Sequence, residues 1–382
     1  MKKRFFPIAL VIFLFTWVSL TLFSFTQKEL NLTIYNFPII RSLIAYLVNL
    51  GYHLRLLNTL IFIVLAVSSI TCYLLLCVGK RHPSKKQLAF TVFILLISGV
   101  VSYPAFSHDI FNYLFYPRMI LVHNANPYYH TALDFSGDLW TRFMHNVHLT
   151  NPYGQTWTAL LVFATFPFIR NFTLSFWAVK FMIGVLFVLQ TYVVYKISLK
   201  NTPGQSLQRT LLFLFNPLLL TETLIVGHND SVMMLFLLLA IYCRYFSSYK
   251  KATQYITAFL FWISSILVKY ATIVMLPVFI IKEKFKNFDI FTWGGVVLLL
   301  VPLSRPDQVH SWYLQWGITL LLLSKKSWGV VLAVLLSVGG LLRYVPFVYY
   351  GNWDSPVPHL RWVILLLPLM ALFSKKVRRT FC

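Results

Sequence analysis

The chain is a succession of apolar runs, many about as long as a bilayer core is thick, with short clusters of lysine and arginine between them. The first extends from Phe5 to about Phe25 behind Met1-Lys2-Lys3-Arg4, the next from about Leu56 to Val78, and a third from about Gln87 to Phe106. A helix needs ~20 such residues to cross a ~30 Å hydrocarbon core. Each run therefore reads as a membrane span. With 58% hydrophobic and only 11% charged residues, and a mean hydropathy of +0.72, the composition is that of a protein that lives in a bilayer. The expectation is an all-α, polytopic integral membrane protein of about 11–13 membrane segments, forming one domain over residues 1–382 with no separable soluble part.

The charge pattern gives the orientation. Lysine and arginine number 33 against 10 acids, for a net charge of +23. In a nucleic-acid partner this surplus would form a basic face on a polar domain; here it lies in clusters between spans, so positive-inside topology accounts for it and no nucleic acid is expected. Cys72, Cys77, Cys243 and Cys382 lie in or beside apolar segments without metal-type spacing. They imply neither a disulfide scaffold nor a zinc site.

The amino-terminal run resembles a signal peptide but is too long, and no small-residue cleavage site follows, so it reads as a retained first span with the amino terminus in the cytosol. Residues 27–55 read as an interfacial amphipathic segment. The turn from Lys80 to Lys86 belongs inside, which sends the third span outward and delivers residues 107–155 to the extracytoplasmic side. The run from about Trp157 to Ile169 is short for a span and reads as a half-helix, and the run from about Ala252 to Ile281 as two broken halves meeting near Lys269. Arg305 to Trp316 then lie outside, while Lys325-Lys326 and the tail Lys375 to Arg379 lie inside, so both termini face the cytosol of a multi-pass cell-membrane protein.

Acids are scarce, and those at span ends stand out. Ser107-His108-Asp109 opens the outer loop; Glu222 lies in the apolar stretch Leu218 to Val226; Gly227-His228-Asn229-Asp230 follows it. A charge in or beside a span costs ~2.5–3.5 kcal/mol unless it is paired or used. Asp109 could merely cap a helix over Ile110 to Tyr116, and Asn229 or Asp230 one over Ser231 to Ile241. Asp109 is equally placed to act as a base where lipid, water and protein meet. Glu222 has candidate ion partners in Arg118, Lys180 and Lys269, or a role in binding substrate. His228 can donate to an anion with Asp230 fixing its tautomer, and Lys269, in mid-span, invites a phosphate partner. Trp312, Tyr313 and Trp316 fit an interfacial aromatic belt, although His310-Ser311-Trp312-Tyr313 could also face a sugar.

These residues, in order, resemble the landmarks of the GT-C glycosyltransferases: Ser107-His108-Asp109 with Tyr113, Arg118 and Asn126-Pro127-Tyr128; Asn151-Pro152-Tyr153-Gly154; Asn216-Pro217; Gly227-His228-Asn229-Asp230; Lys269; and His310-Ser311-Trp312-Tyr313. Within that superfamily they are similar to the polyprenol-phosphate-mannose-dependent mannosyltransferases of the bacterial α-(1→6) type, over about residues 87–316. Gln155 stands where a proline often follows the tyrosine-glycine pair, and Ser311 where a proline commonly precedes the tryptophan.

The resemblance implies a hexosyltransferase of the cell envelope. Asp109 would be the catalytic base. His108, Tyr113, Arg118, Asn126, Tyr128, Tyr153, Glu222, His228, Asn229, Asp230, Lys269, His310, Trp312 and Tyr313 would bind substrate. The donor would be a polyprenyl-phosphate sugar and the acceptor a glycan or glycolipid hydroxyl, joined by inverting single displacement, with the leaving phosphate held by Lys269, His228 or Arg118. No cofactor is required; a divalent metal on Asp109, His108, His228 and Asp230 is allowed by their chemistry but not demanded. The competing class is a transporter or lipid flippase, whose usual internal repeats are absent from the sequence.

Overall fold

The computed structural model describes residues 5–30, 32, 38–78, 83–304 and 309–374, and all regular structure among them is helical. The basic turn at Lys80 to His82, Arg305 and the tail Lys375 to Arg379 lie outside the described residues. The first span is α1 (Phe5–Phe23), the amphipathic segment contains α2 (Pro38–His53), and the next two runs are α3 (Arg55–Val78) and α4 (Lys85–Val101). A capping box starts α4: Gln87 N donates to Ser84 Oγ at 3.2 Å and Ser84 N to Gln87 Oε1 at 2.9 Å.

Beyond α5 (Asp109–Leu121), the loop over residues 122–154 carries two short 3₁₀ turns and leads into α6 (Gln155–Thr165) and the long α7 (Phe172–Asn201). The chain continues through α8 (Ser206–Leu214), α9 (Pro217–Leu220), a π-helical turn over Thr221–Val226 and α10 (Asp230–Tyr245). Next come α11 (Lys251–Ile266), a 3₁₀ turn at Tyr270–Val274, α12 (Met275–Lys284), α13 (Ile290–Leu300), α14 (Leu314–Leu321), α15 (Ser327–Leu342), α16 (Val345–Tyr350) and α17 (Val357–Leu366).

Among the described residues, four helices are long and apolar enough to cross a bilayer alone: Phe6–Gln27, Arg55–Val78, Phe172–Asn201 and Ser327–Tyr350. The pair Pro203–Leu214 and Pro217–Val226, bent by 45°, makes a fifth when counted as one span. Many remaining apolar runs are divided into shorter helices by the residues that carry the polar landmarks. Asn216-Pro217 is one such break: Asn216 Oδ1 accepts from Leu218 N and Leu219 N at 3.1 Å, so a new helix starts there with proline in its first turn. The run through Lys269 is broken as expected, with α11 ending at Ile266 and α12 beginning at Met275. The run after Trp157 likewise yields only the short α6.

Every residue from Arg209 to Leu235 is buried, so α9, the π-helical turn and the first turns of α10 form the axis of the protein. Apolar residues surround that axis on all sides, as a fully enclosed helix requires. Helices α7, α11 and α14 pack against α10. Lys180 of α7 is buried here, with Nζ donating to Ser102 Oγ at 2.8 Å and to Ile225 O at 2.6 Å at the end of the π-helical turn. Among the described residues, its amine is hydrogen-bonded to backbone and hydroxyl oxygens alone.

Candidate active site

Two close backbone approaches assemble the site. Gly227 ends the π-helical turn with φ of +88°, a left-handed conformation that favours glycine, and a Cβ there would meet Ile110 Cδ1 of α5 at 3.1 Å. Gly154 lies against the break after α11, where a Cβ would come within 2.2 Å of Leu267 O. Gly154 N donates to Val268 O at 3.3 Å and Thr156 N to Leu267 O at 3.0 Å. The first contact sets His228 beside Asp109, and the second sets Tyr153 beside Lys269.

Asp109 is the first residue of α5, whose N-cap position is His108 without a side-chain cap bond. The Asp109 carboxylate accepts from Tyr153 Oη at 3.1 Å and lies 3.8 Å from His228 Nε2. Its side chain is 26% exposed, whereas His228 is buried at 1%. Glu222 Oε2 is 3.1 Å from His228 Nδ1, and Glu222 Oε1 accepts from Tyr344 Oη at 2.6 Å. A carboxylate at Nδ1 holds the imidazole proton there and aims Nε2 at Asp109. This corrects two expected pairings: the tautomer of His228 is set by Glu222 rather than Asp230, and Glu222 pairs with His228 and Tyr344 rather than with Arg118, Lys180 or Lys269.

Asp230 begins α10 and takes the other cation. Lys269 Nζ donates to Asp230 Oδ1 at 2.9 Å, and Trp316 Nε1 donates to the same oxygen at 2.5 Å. The ammonium also stands 4.9 Å from the Tyr313 ring, 5.6 Å from Trp316 and 6.0 Å from Tyr153, an aromatic enclosure that favours a cation. A ring column completes this side: His310 stacks on Trp312 at 4.1 Å with planes 2° apart, and Trp312 lies 4.3 Å from His228. Trp312, Tyr313 and Trp316 therefore face the carboxylates instead of serving only as a belt.

Behind His310, Arg343 and Arg361 both donate to Val309 O at 2.8 Å. Burial, then the charges of Arg361, Arg343, His228 and Lys269, push the His310 imidazole down to about 3. The site thus has a cationic wall. Several enclosed polar atoms have no hydrogen-bond partner among the described residues: both amide atoms of Asn229, Asp230 Oδ2, His228 Nε2, Tyr113 Oη, and Nε and Nη1 of Arg343. Unmet groups of this kind cost ~1–3 kcal/mol each, so a polar ligand is their natural partner.

The remaining expected residues divide. Tyr113 packs edge-on against Tyr153 and Trp157 at 5.1 Å each, supporting the tyrosine that touches Asp109. Arg118 is committed elsewhere: it donates to Asp138 Oδ2 at 2.5 Å and Ile169 O at 3.0 Å and lies over Trp140 at 4.3 Å. It braces the loop that follows α5 and is not available to a phosphate at Asp109. Asn126 Oδ1 accepts from Tyr128 N at 3.0 Å in a turn, and Tyr128 Oη bonds Thr158 Oγ1 at 2.7 Å. Both lie on the far side of the loop, where Tyr128 borders an apolar groove of about 1450 Å³ between α6 and α7. His108 turns away from His228 toward His145, so Asp109, His108, His228 and Asp230 do not gather as one ligand set.

A family model described as alpha-(1->6)-mannopyranosyltransferase, N-terminal domain, matches residues 30–282. The chain belongs to this mannosyltransferase family. No curated protein and no solved structure matches it. In this alpha-(1->6)-mannopyranosyltransferase family member, the matched segment supplies Asp109, Tyr153, Glu222, His228, Asp230 and Lys269. The chain beyond it supplies Trp312, Trp316, Tyr344, Arg343 and Arg361. Tyr344 and the two arginines escaped the sequence reading. The signal was present, because Arg343 and Arg361 are cations inside apolar runs, the same oddity that singled out Lys269.

Proposed function

We propose that this mannosyltransferase takes mannose from a polyprenyl-phosphate donor and places it on a hydroxyl of a glycan or glycolipid acceptor, by inverting single displacement on the extracytoplasmic side of the cell membrane. The observation that carries this reading is the division of labour among the carboxylates. Glu222 and Asp230 are each fully enclosed and bonded to a partner, whereas Asp109 is open to an incoming group.

Asp109 Oδ accepts the proton of the acceptor hydroxyl as its oxygen attacks the anomeric carbon. The bond from that carbon to the phosphate oxygen breaks on the opposite face, its electron pair leaves with the polyprenyl phosphate, and the anomeric configuration inverts. Tyr153 Oη, donating at 3.1 Å, holds the Asp109 carboxylate in place. The charge developing on the phosphate faces the wall of Lys269, Arg343 and Arg361, which stabilises it without a metal.

The test uses purified protein with radiolabelled polyprenyl-phosphate-mannose and, separately, a nucleotide-mannose without lipid carrier. Transfer is expected from the first only. Asp109→Asn is nearly isosteric and should cut turnover by ~10²-fold or more, the range of a general base, at unchanged melting temperature. Transfer from the nucleotide sugar, or full activity of Asp109→Asn, overturns the reading.

A further inference from the structure

A second constellation lies one residue from Asp109 and takes no part in the chemistry above. Glu29 follows α1, His108 precedes α5, and His145 sits in the loop that follows α5. One donor atom from each lies within 4.8 Å of the others. We propose that Glu29, His108 and His145 bind one divalent transition cation of the zinc type, which ties the segment after α1 and the loop after α5 to the start of the catalytic helix.

The chemistry of the donors is the first argument. Two imidazoles with one carboxylate suit a borderline cation such as zinc better than magnesium or calcium, which prefer oxygen alone. His108 Nδ1 and His145 Nε2 are 2.6 Å apart, close enough that they share a single proton. A cation in place of that proton uses both lone pairs.

The dimensions agree. Metal–nitrogen bonds of ~2.0–2.1 Å at tetrahedral angles put donor atoms ~3.3 Å apart. The histidine pair must open by less than ~1 Å, and Glu29 Oε1, 4.0 Å from His145 Nε2, must close by less than ~1 Å. Both outer ligands are free to do so, with side chains 64% exposed for His145 and 39% for Glu29. His108 is the fixed member. It is less exposed than His145 and sits at the N-cap of α5, where the backbone places it.

An outer layer of bonds is also present. His108 Nε2 lies 3.5 Å from Tyr103 Oη, and Tyr103 Oη accepts from Glu29 N at 3.2 Å. With a cation on Nδ1, the proton of His108 moves to Nε2 and points at that oxygen, the arrangement in which a ligating histidine is oriented by an acceptor behind it. The three side chains line one cavity of about 410 Å³, also bordered by Ser107, Trp353 and Asp354, with room for water.

The experiment is a zinc titration of the full chain in detergent, stripped of metal and carrying no histidine tag, against a chromophoric chelator. One zinc per chain is expected at micromolar concentrations. His145→Ala should weaken it ~100-fold and Glu29→Gln ~10-fold, the range over which ligand and supporting groups act. Zinc should raise the melting temperature of the wild type and leave that of His145→Ala unmoved. Equal melting of the metal-free proteins establishes that the variant folds; should His145→Ala not fold, the affinity of Glu29→Gln decides. Absence of binding at micromolar zinc, or binding unchanged in the variants, overturns the site.

Discussion

Lys269→Met separates the two uses of that lysine. The Lys269–Asp230 pair at 2.9 Å is nearly enclosed, with Asp230 fully buried and Lys269 19% exposed. At an effective dielectric of 20 the Coulomb attraction is about 6 kcal/mol, opposed by the cost of removing both charges from water. Removing one partner strands the other and costs ~3–5 kcal/mol. Here the lower end applies, because Trp316 Nε1 still donates to Asp230. At ~2–4 °C per kcal/mol, melting should fall by ~6–12 °C. In Lys269→Met with Asp230→Asn, the amide oxygen still accepts from Trp316 and no bare charge remains, so most of that loss returns. Adding Glu222→Gln instead should not help, since Glu222 is bonded to His228 and Tyr344. The assay is thermal melting in detergent beside mannosyl transfer. Unchanged melting of Lys269→Met, or rescue by Glu222→Gln in place of Asp230→Asn, refutes the pairing. Restored stability with full transfer would refute a role for the lysine charge at the phosphate, for which at least a ~10-fold residual loss is expected.

Cysteines placed at positions 109, 145 and 310 in a cysteine-free background should react with an impermeant reagent from one face of the membrane, and those at 85, 200, 250 and 325 from the other; positions 109 and 310 labelling from opposite faces would break up the single site. The protein should lose thermal stability as pH falls from about 6.5 toward 4. His310 and His108 are held near 3 and 4 in the fold against an ordinary 6.5, so in that window the unfolded chain binds protons that the folded chain refuses. Melting curves of the wild type against His310→Gln check this: the variant's slope should be shallower, and a flat wild-type profile would contradict the depressed histidines.

The helical class was legible because membrane insertion acts on the composition of contiguous runs. A stretch such as Leu56 to Val78 must satisfy its backbone within itself wherever it sits. The positions of the breaks were also local. Asn216-Pro217 and the charge at Lys269 interrupt their runs for reasons carried by neighbouring residues. The scarcity of acids marked Asp109, Glu222 and Asp230 before any coordinates, since an unpaired carboxylate in such a chain is costly.

Partner choice could not be read the same way. Glu222 lies six residues from His228 and more than a hundred from Tyr344, and it meets both only because the π-helical turn and Gly227 fold one back while α15 and α16 return the other. Lys269 reaches Asp230 rather than Glu222 because the loop at Gly154 seats itself on the break after Leu267. Arg118, a plausible phosphate ligand by order along the chain, turns to Asp138 because α5 carries it away from its own first residue. Charge and hydrophobicity are properties of a residue and its immediate neighbours, so the sequence alone settled which residues must be paired or used. Pairing itself depends on distances of a few ångströms between segments remote in the chain. Only the packing of the helices around the buried axis from Arg209 to Leu235 decides those distances.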